Sequence, residues 1–128
     1  MPIGPADAIA RIVVARGPYK VGTLAEAVAV AVVRHDGAWV RDRVGDVRAL
    51  RATFTERLRA RGFRVLDSEA NFVAIQVDDA HETFARMLDA GVLVRAYASL
   101  PVLGDLIRVT IGPAAMLDEA LEALEAAR

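Results

Sequence analysis

Two arginines stand on short β-type runs of this chain, Arg95 at the end of Val92-Leu93-Val94-Arg95 and Arg108 within Leu106-Ile107-Arg108-Val109-Thr110-Ile111-Gly112. Side chains alternate faces along a strand, so Leu93 and Arg95 share one face, and Leu106, Arg108 and Thr110 share a face of the other run. Val92, Val94, Ile107, Val109 and Ile111 form the opposite, apolar face. If the two runs pair across the segment between them, the guanidinium groups converge at one end of a sheet. A planar guanidinium fork suits bidentate capture of a carboxylate or phosphate, so the chemistry suggested is recognition of a small doubly anionic molecule. In a chain with fifteen arginines most are solvated surface charges, and paired charges are also common in purely structural networks. The connection, Ala96 to Asp105, is longer than a usual hairpin loop and mixes apolar with turn residues, as a lid or pocket wall does. An ordinary packed surface loop is its alternative.

The remaining composition excludes several kinds of chemistry. There is no cysteine, so neither a disulfide framework nor thiolate chemistry is available. His35 and His81 lie far apart without partners in spacing, and no metal site is readable. Formal net charge is −1 with both signs dispersed, which favours neither nucleic acid nor an anionic membrane surface. The N-terminus lacks a basic region followed by a long apolar run, so no targeting segment is read and a cytoplasmic location is expected. Lys20 is the single lysine.

The elements that must position the arginines follow from pattern. A short helix is predicted from Pro5 to the Gly17-Pro18 break. From Val21 to Val33 the sequence is apolar on nearly every face, with Thr23 as N-cap and Glu26 completing a capping box. That helix is too short to cross a bilayer, which needs about 20 apolar residues, so its cover must come from protein. After His35-Asp36-Gly37 a one-faced helix runs to about Arg61, with Val40, Val44, Val47, Leu50, Phe54 and Leu58 inward and residues such as Arg41, Arg51, Arg57 and Arg59 on a solvated face. Trp39, near its start, is read as packing.

Strands are predicted at Phe63–Leu66 and Phe72–Val77, separated by a turn-forming Asp67-Ser68-Glu69-Ala70-Asn71 in which Asn71 satisfies backbone groups and is a secondary ligand candidate. Asp78-Asp79 caps a helix to about Ala90 that buries Phe84, Met87 and Leu88, and Gly91 closes it. A last helix from Pro113 buries Met116 or Leu117, Leu121 and Leu124. The order α, α, α, β, β, α, β, β, α specifies an α+β fold, one small mixed or largely antiparallel sheet covered by helices. Residues 37–128 would hold this domain, and residues 1–36 helices that pack on another domain or subunit.

Five segments in register, Arg16-Gly-Pro-Tyr-Lys-Val-Gly22, His35-Asp-Gly-Ala-Trp-Val-Arg41, Ser68-Glu-Ala-Asn-Phe-Val73, Gly91-Val-Leu-Val-Arg95 and Leu103-Gly-Asp-Leu-Ile-Arg-Val-Thr-Ile-Gly112, resemble the C-terminal part of histidinol-phosphate aminotransferases, fold-type I enzymes of pyridoxal 5'-phosphate. The resemblance covers nearly the whole chain and implies the small-domain fold of that superfamily. It also implies that Arg108 binds an amino-acid carboxylate, that Arg95 lies near the substrate phosphate, and that the helix at 21–33 packs on the large domain close to a dimer partner. The family's cofactor lysine, in a serine-x-lysine pattern, and the arginine for the cofactor phosphate have no counterpart here. The position of Lys20 matches a polar residue of the family pattern rather than that lysine, and no glycine-rich phosphate cradle is present.

Two functions are therefore weighed. The first is a C-terminal part of an aminotransferase, with no catalytic or cofactor-binding residue of its own and silent without the large domain, since transamination needs the lysine amine as Schiff-base partner and base. Its partners would be the remaining polypeptide, a second copy through the apolar helix, and an amino acid or phosphorylated amine. The second is a stand-alone binding or assembly module that keeps the arginine pair as an anion site.

Overall fold

The computed structural model describes residues 4–16 and 21–128. The expected Gly17-Pro18 break and Lys20 lie outside the described residues. In chain order the elements are α1 (Ala6–Arg16), α2 (Thr23–His35), α3 (Gly37–Ala60), β1 (Arg64–Val65), β2 (Phe72–Gln76), α4 (Ala80–Asp89), β3 (Arg95–Leu100), β4 (Gly104–Thr110) and α5 (Ala114–Ala126). The chain divides into two units, Met1–Val40 and Arg41–Arg128.

In the first unit, α2 carries the apolar run the sequence marks out, and none of its residues is buried. Its cap differs from expectation. The Glu26 amide donates to the Gly22 carbonyl at 3.0 Å, so the helix begins one residue early and Gly22, without any side-chain bond, takes the cap position given to Thr23. Trp39 is 63% exposed rather than packed.

The second unit is built on a four-stranded sheet in the order β1-β2-β4-β3, antiparallel throughout. One face of the sheet carries Val73, Ile75, Ile107 and Val109. These bury against Phe54 and Leu58 of α3, Met87 of α4, and Leu117, Leu121 and Leu124 of α5. Period-two alternation therefore sends the opposite set, Phe72, Ala74, Arg95, Tyr97 and Arg108, to the other face.

Local chemistry fixes where the helices stop and start. At the end of α3 the Phe63 amide donates to the Leu58 carbonyl and the Gly62 amide to the Arg59 carbonyl, a Schellman closure that needs a left-handed residue; Gly62 supplies it at φ +81°. Gly91 (φ +83°) ends α4 in the same way, with Val92 bonded to Met87 and Gly91 to Leu88. Asp79 caps α4 by accepting from the Glu82 amide at 2.8 Å.

Three expectations are corrected. The strand expected at Phe63–Leu66 shrinks to Arg64–Val65, because the Phe63 amide is used in closing α3. The buried stripe of α4 is Ala80, Thr83 and Met87, while Leu88 is 46% exposed and Phe84 only partly covered. In α5 the expected alternative of Met116 or Leu117 resolves to Leu117, which faces the core with Leu121 and Leu124 as expected. In the second unit, Val40's neighbour on the expected apolar stripe, Val44, is also exposed, so α3 packs only from Val47 onward.

Candidate functional site

The segment expected as a loop is mostly strand. Val92 to Val94 is an unpaired link that leans on the core, β3 begins where the predicted strand ended, and only Pro101–Leu103 turns the chain back. Val92-Leu93-Val94 attracted the assignment because β-branched apolar residues read as strand. Ala96-Tyr97-Ala98-Ser99 did not, because an edge strand open on one side needs no apolar alternation.

The shift alters how the arginines meet. In the register of β3 and β4, Arg95 stands directly opposite Arg108, and Tyr97 opposite Leu106. The pair lies at the end of the hairpin remote from the turn, not beside it. Arg108 is on the strand between β2 and β3, and so has a neighbour on each side. Its guanidinium carbon sits 4.9 Å from the centre of the Phe72 ring, and its Nη1 lies 3.4 Å from the Tyr97 hydroxyl. Its Nε is buried and has no acceptor among the described residues. A buried donor left without a partner costs about 1–3 kcal/mol and more when it is charged, so the site has a donor to offer an anion. Arg95 is exposed. Together with Val94, Thr110, Gly112 and Met116, the two arginines line a cleft of about 390 Å³.

Asn71 does not join them. It is exposed, and the group it engages is its main-chain carbonyl, which accepts from the Ile111 amide at 2.8 Å. The Asp67–Asn71 turn is instead organised by two arginines of α3. Arg51, expected on the solvated face, has a side chain only 12% exposed and donates to the Ala70 carbonyl at 2.7 Å and to Glu69 at 3.1 Å. Arg59 reaches Asp67 at 2.7 Å and the Val65 carbonyl at 3.2 Å. This turn leads directly into Phe72, so α3 sets the ring beneath Arg108. Phe72 and Tyr97 escaped the sequence reading, although Tyr97 is two residues from Arg95 and would have been found had β3 been recognised.

Asp105 fixes the far end of the hairpin. Its two carboxylate oxygens accept from the Ser99 amide at 2.9 Å and the Ala80 amide at 2.8 Å. Those two bonds, the Ser99 one foremost, hold its pKa below the ordinary carboxylate value; partial desolvation opposes them and His81 adds a smaller lowering. A second cleft, of about 290 Å³, is lined by Arg64, Asp78, Asp79, Glu82, Arg86 and Arg128. There Arg86 pairs with Glu82, and Arg128 donates to the Arg61 and Gly62 carbonyls, so charge is largely compensated within the fold. The Arg95–Arg108 face is the better candidate.

The sequence profile of the class I and II aminotransferases matches residues 3–124. The chain belongs to that family. It is 37% identical over 121 residues to histidinol-phosphate aminotransferase 2 of Rhizobium meliloti (strain 1021), covering 93% of this chain and 34% of that protein. It is 40% identical over 116 residues to the histidinol-phosphate aminotransferase of Mycolicibacterium smegmatis, covering 88% of this chain and 28% of that one. Among solved structures, the N-succinyldiaminopimelate aminotransferase of Mycobacterium tuberculosis superposes with a TM-score of 0.76 at 28% identity, over 98% of this chain and 36% of the other. The chain thus spans about a third of the length of the curated relatives it matches.

The family's cofactor is pyridoxal 5'-phosphate, and the residues described here do not fit its binding. The cofactor is held through a lysine amine, and no lysine occurs among the described residues, Lys20 being the only one in the sequence. The donors that Arg95, Tyr97 and Arg108 bring together on one sheet face are guanidinium and phenol groups, suited to an anion and incapable of forming an imine.

Proposed function

We propose that this chain is the anion-recognising C-terminal portion of an aminotransferase of the histidinol-phosphate type, and that it is catalytically silent without the polypeptide that carries the cofactor lysine. In this reading Arg108 grips the carboxylate of the amino-acid substrate with two parallel hydrogen bonds, and Arg95 the phosphate of the phosphorylated one. The observation that carries the proposal is the β3–β4 register, which sets Arg95 across from Arg108 on the sheet face opposite the one that packs on α3, α4 and α5. The phosphorylated substrate is a primary amine with a phosphate ester at a distance from the reacting carbon; the amino donor is an α-amino acid such as glutamate. The uncovered apolar side chains of α2, Leu24, Val28 and Val33 among them, would be buried by that larger polypeptide and a second subunit, in the cytoplasm.

The test joins this chain to the N-terminal region of a relative and measures both half-reactions. Arg108→Lys keeps the charge and loses the fork, and is expected to weaken glutamate by about 2 kcal/mol in kcat/KM. Arg95→Gln is expected to penalise histidinol phosphate and comparatively spare glutamate. Equal losses for both substrates with both variants would overturn the division of roles. Transamination by the unjoined chain would overturn its silence.

A further inference from the structure

Tyr97 belongs to neither arginine's assigned role, yet it is placed between them in function. On β3 it is two residues from Arg95, hence on the same face, and diagonal to Arg108 across the β3–β4 pair. Its hydroxyl lies 3.4 Å from Arg108 Nη1. A phenol hydroxyl has one hydrogen to give and two lone pairs to receive. Toward Arg108 it can only receive, because guanidinium carries no acceptor. The O–H hydrogen is therefore still unspent in that contact, and the contact is long for an N–H···O bond, so the hydroxyl is loosely held and can turn to a ligand. The ring is half-buried, which limits where that hydrogen can point.

A guanidinium fork is planar and satisfies two oxygens. A carboxylate has only two, and both are used by Arg108. A tetrahedral phosphate gripped by the Arg95 fork presents a third oxygen out of the plane of that fork, and a donor two residues along β3 on the same face can read it. We propose that Tyr97 is a specificity-determining residue of the Arg95–Arg108 face, whose hydroxyl donates to the third oxygen of a phosphate monoester and contributes nothing to a carboxylate. This rests on the reading of that face as the substrate-anion site. It adds that discrimination between the two substrates lies partly in an uncharged group, not only in the division of labour between the arginines.

The 128-residue chain itself serves for the test. The Nε–H resonances of Arg95 and Arg108, identified by their loss in Arg95→Lys and Arg108→Lys, are followed during titration with methyl phosphate, at a pH where the ester is dianionic, and separately with acetate. Tyr97→Phe keeps the ring and removes only the hydroxyl. Each probe is compared with itself in the two chains, so the intrinsic difference in charge between the probes cancels. The expected result is about a tenfold weakening of methyl phosphate, the magnitude of one hydrogen bond to a charged group, with acetate unchanged to within about twofold. Equal weakening of both probes makes Tyr97 a mere support of the Arg108 fork and overturns the inference. No change in either probe on Tyr97→Phe overturns it too and leaves the site reading standing. If neither probe shifts Arg95 or Arg108 in the unsubstituted chain, or if acetate binding survives Arg108→Lys and methyl phosphate binding survives Arg95→Lys, with amide spectra intact, the site reading itself is wrong, and the role of Tyr97 falls with it.

Discussion

A single carboxylate, Asp105, ties three pieces of backbone: its own strand β4, the irregular stretch of β3 at Ser99, and the first residue of α4. Both amides donate more strongly to the ionised carboxylate than to the neutral acid, which is why the folded state holds the group below its ordinary pKa. Its contribution to stability is thus complete at pH values above the ordinary carboxylate range and is lost as pH falls through the depressed folded value. Asp105→Asn offers one acceptor oxygen where two amides need two. Urea midpoints measured across the acid range should therefore show the variant less stable near neutrality and closer to the parent chain in acid. A constant difference at every pH would mean that the charge is immaterial.

The elements owe their limits to glycines used in opposite ways. Gly91 sits at φ +83° with open space around its missing Cβ, so Gly91→Ala meets no atom and suffers only the left-handed backbone, about 1–2 kcal/mol of destabilisation. Gly45 lies within α3, also with open space, and Gly45→Ala should stabilise by about 0.5–1 kcal/mol. Denaturation midpoints of the two variants are expected to move in opposite directions. A third expectation concerns the hold of α3 on the turn before β2. Arg51→Met keeps the aliphatic stem and removes the donors to Ala70 and Glu69, costing about 1–2 kcal/mol and loosening residues 67–71 in amide exchange. These same elements show what sequence can and cannot disclose. Helix ends were legible because Gly62, Asp79 and Gly91 have one cheap use each, and the strands at 72–76 and 106–110 because their alternate residues enter the core. The extent of β3 was not legible, since Ala96 to Ser99 pair only along one edge and bury little. Arg51 looked like any other arginine on a charged face; its role comes from a turn about five helical turns of sequence away, which no local pattern encodes. That Arg95 and Arg108 converge was readable from parity given that their runs pair, whereas their directly opposed position and the flanking Phe72 and Tyr97 required the register.

For the whole molecule, the uneven distribution of covered apolar surface is what matters. In Arg41–Arg128 the apolar side chains close on one another, while α2 has no buried residue, with Leu24 79% and Val33 83% exposed. Contiguous exposed apolar side chains drive association, so the isolated chain should self-associate in a way that Leu24→Glu with Val28→Glu relieves, while the melting of the second unit is unchanged. Sedimentation at rising concentration reports the first effect and thermal unfolding the second. A strictly monomeric parent chain would remove the basis for the expected cover.

That association should not spread along the sheet. The order β1-β2-β4-β3 leaves two strands with an unpaired side, and both are poor templates for a neighbour. One is two residues long. The other has an irregular register between Tyr97 and Leu100, places Ser99 at φ 54°, and runs into Pro101, which has no amide hydrogen to offer. A fibril grows only where each arriving strand leaves a fresh, regular edge for the next. Here the edges end the ladder, so the isolated chain is expected to form soluble or amorphous clusters through a helix and to fail to nucleate or extend cross-β growth.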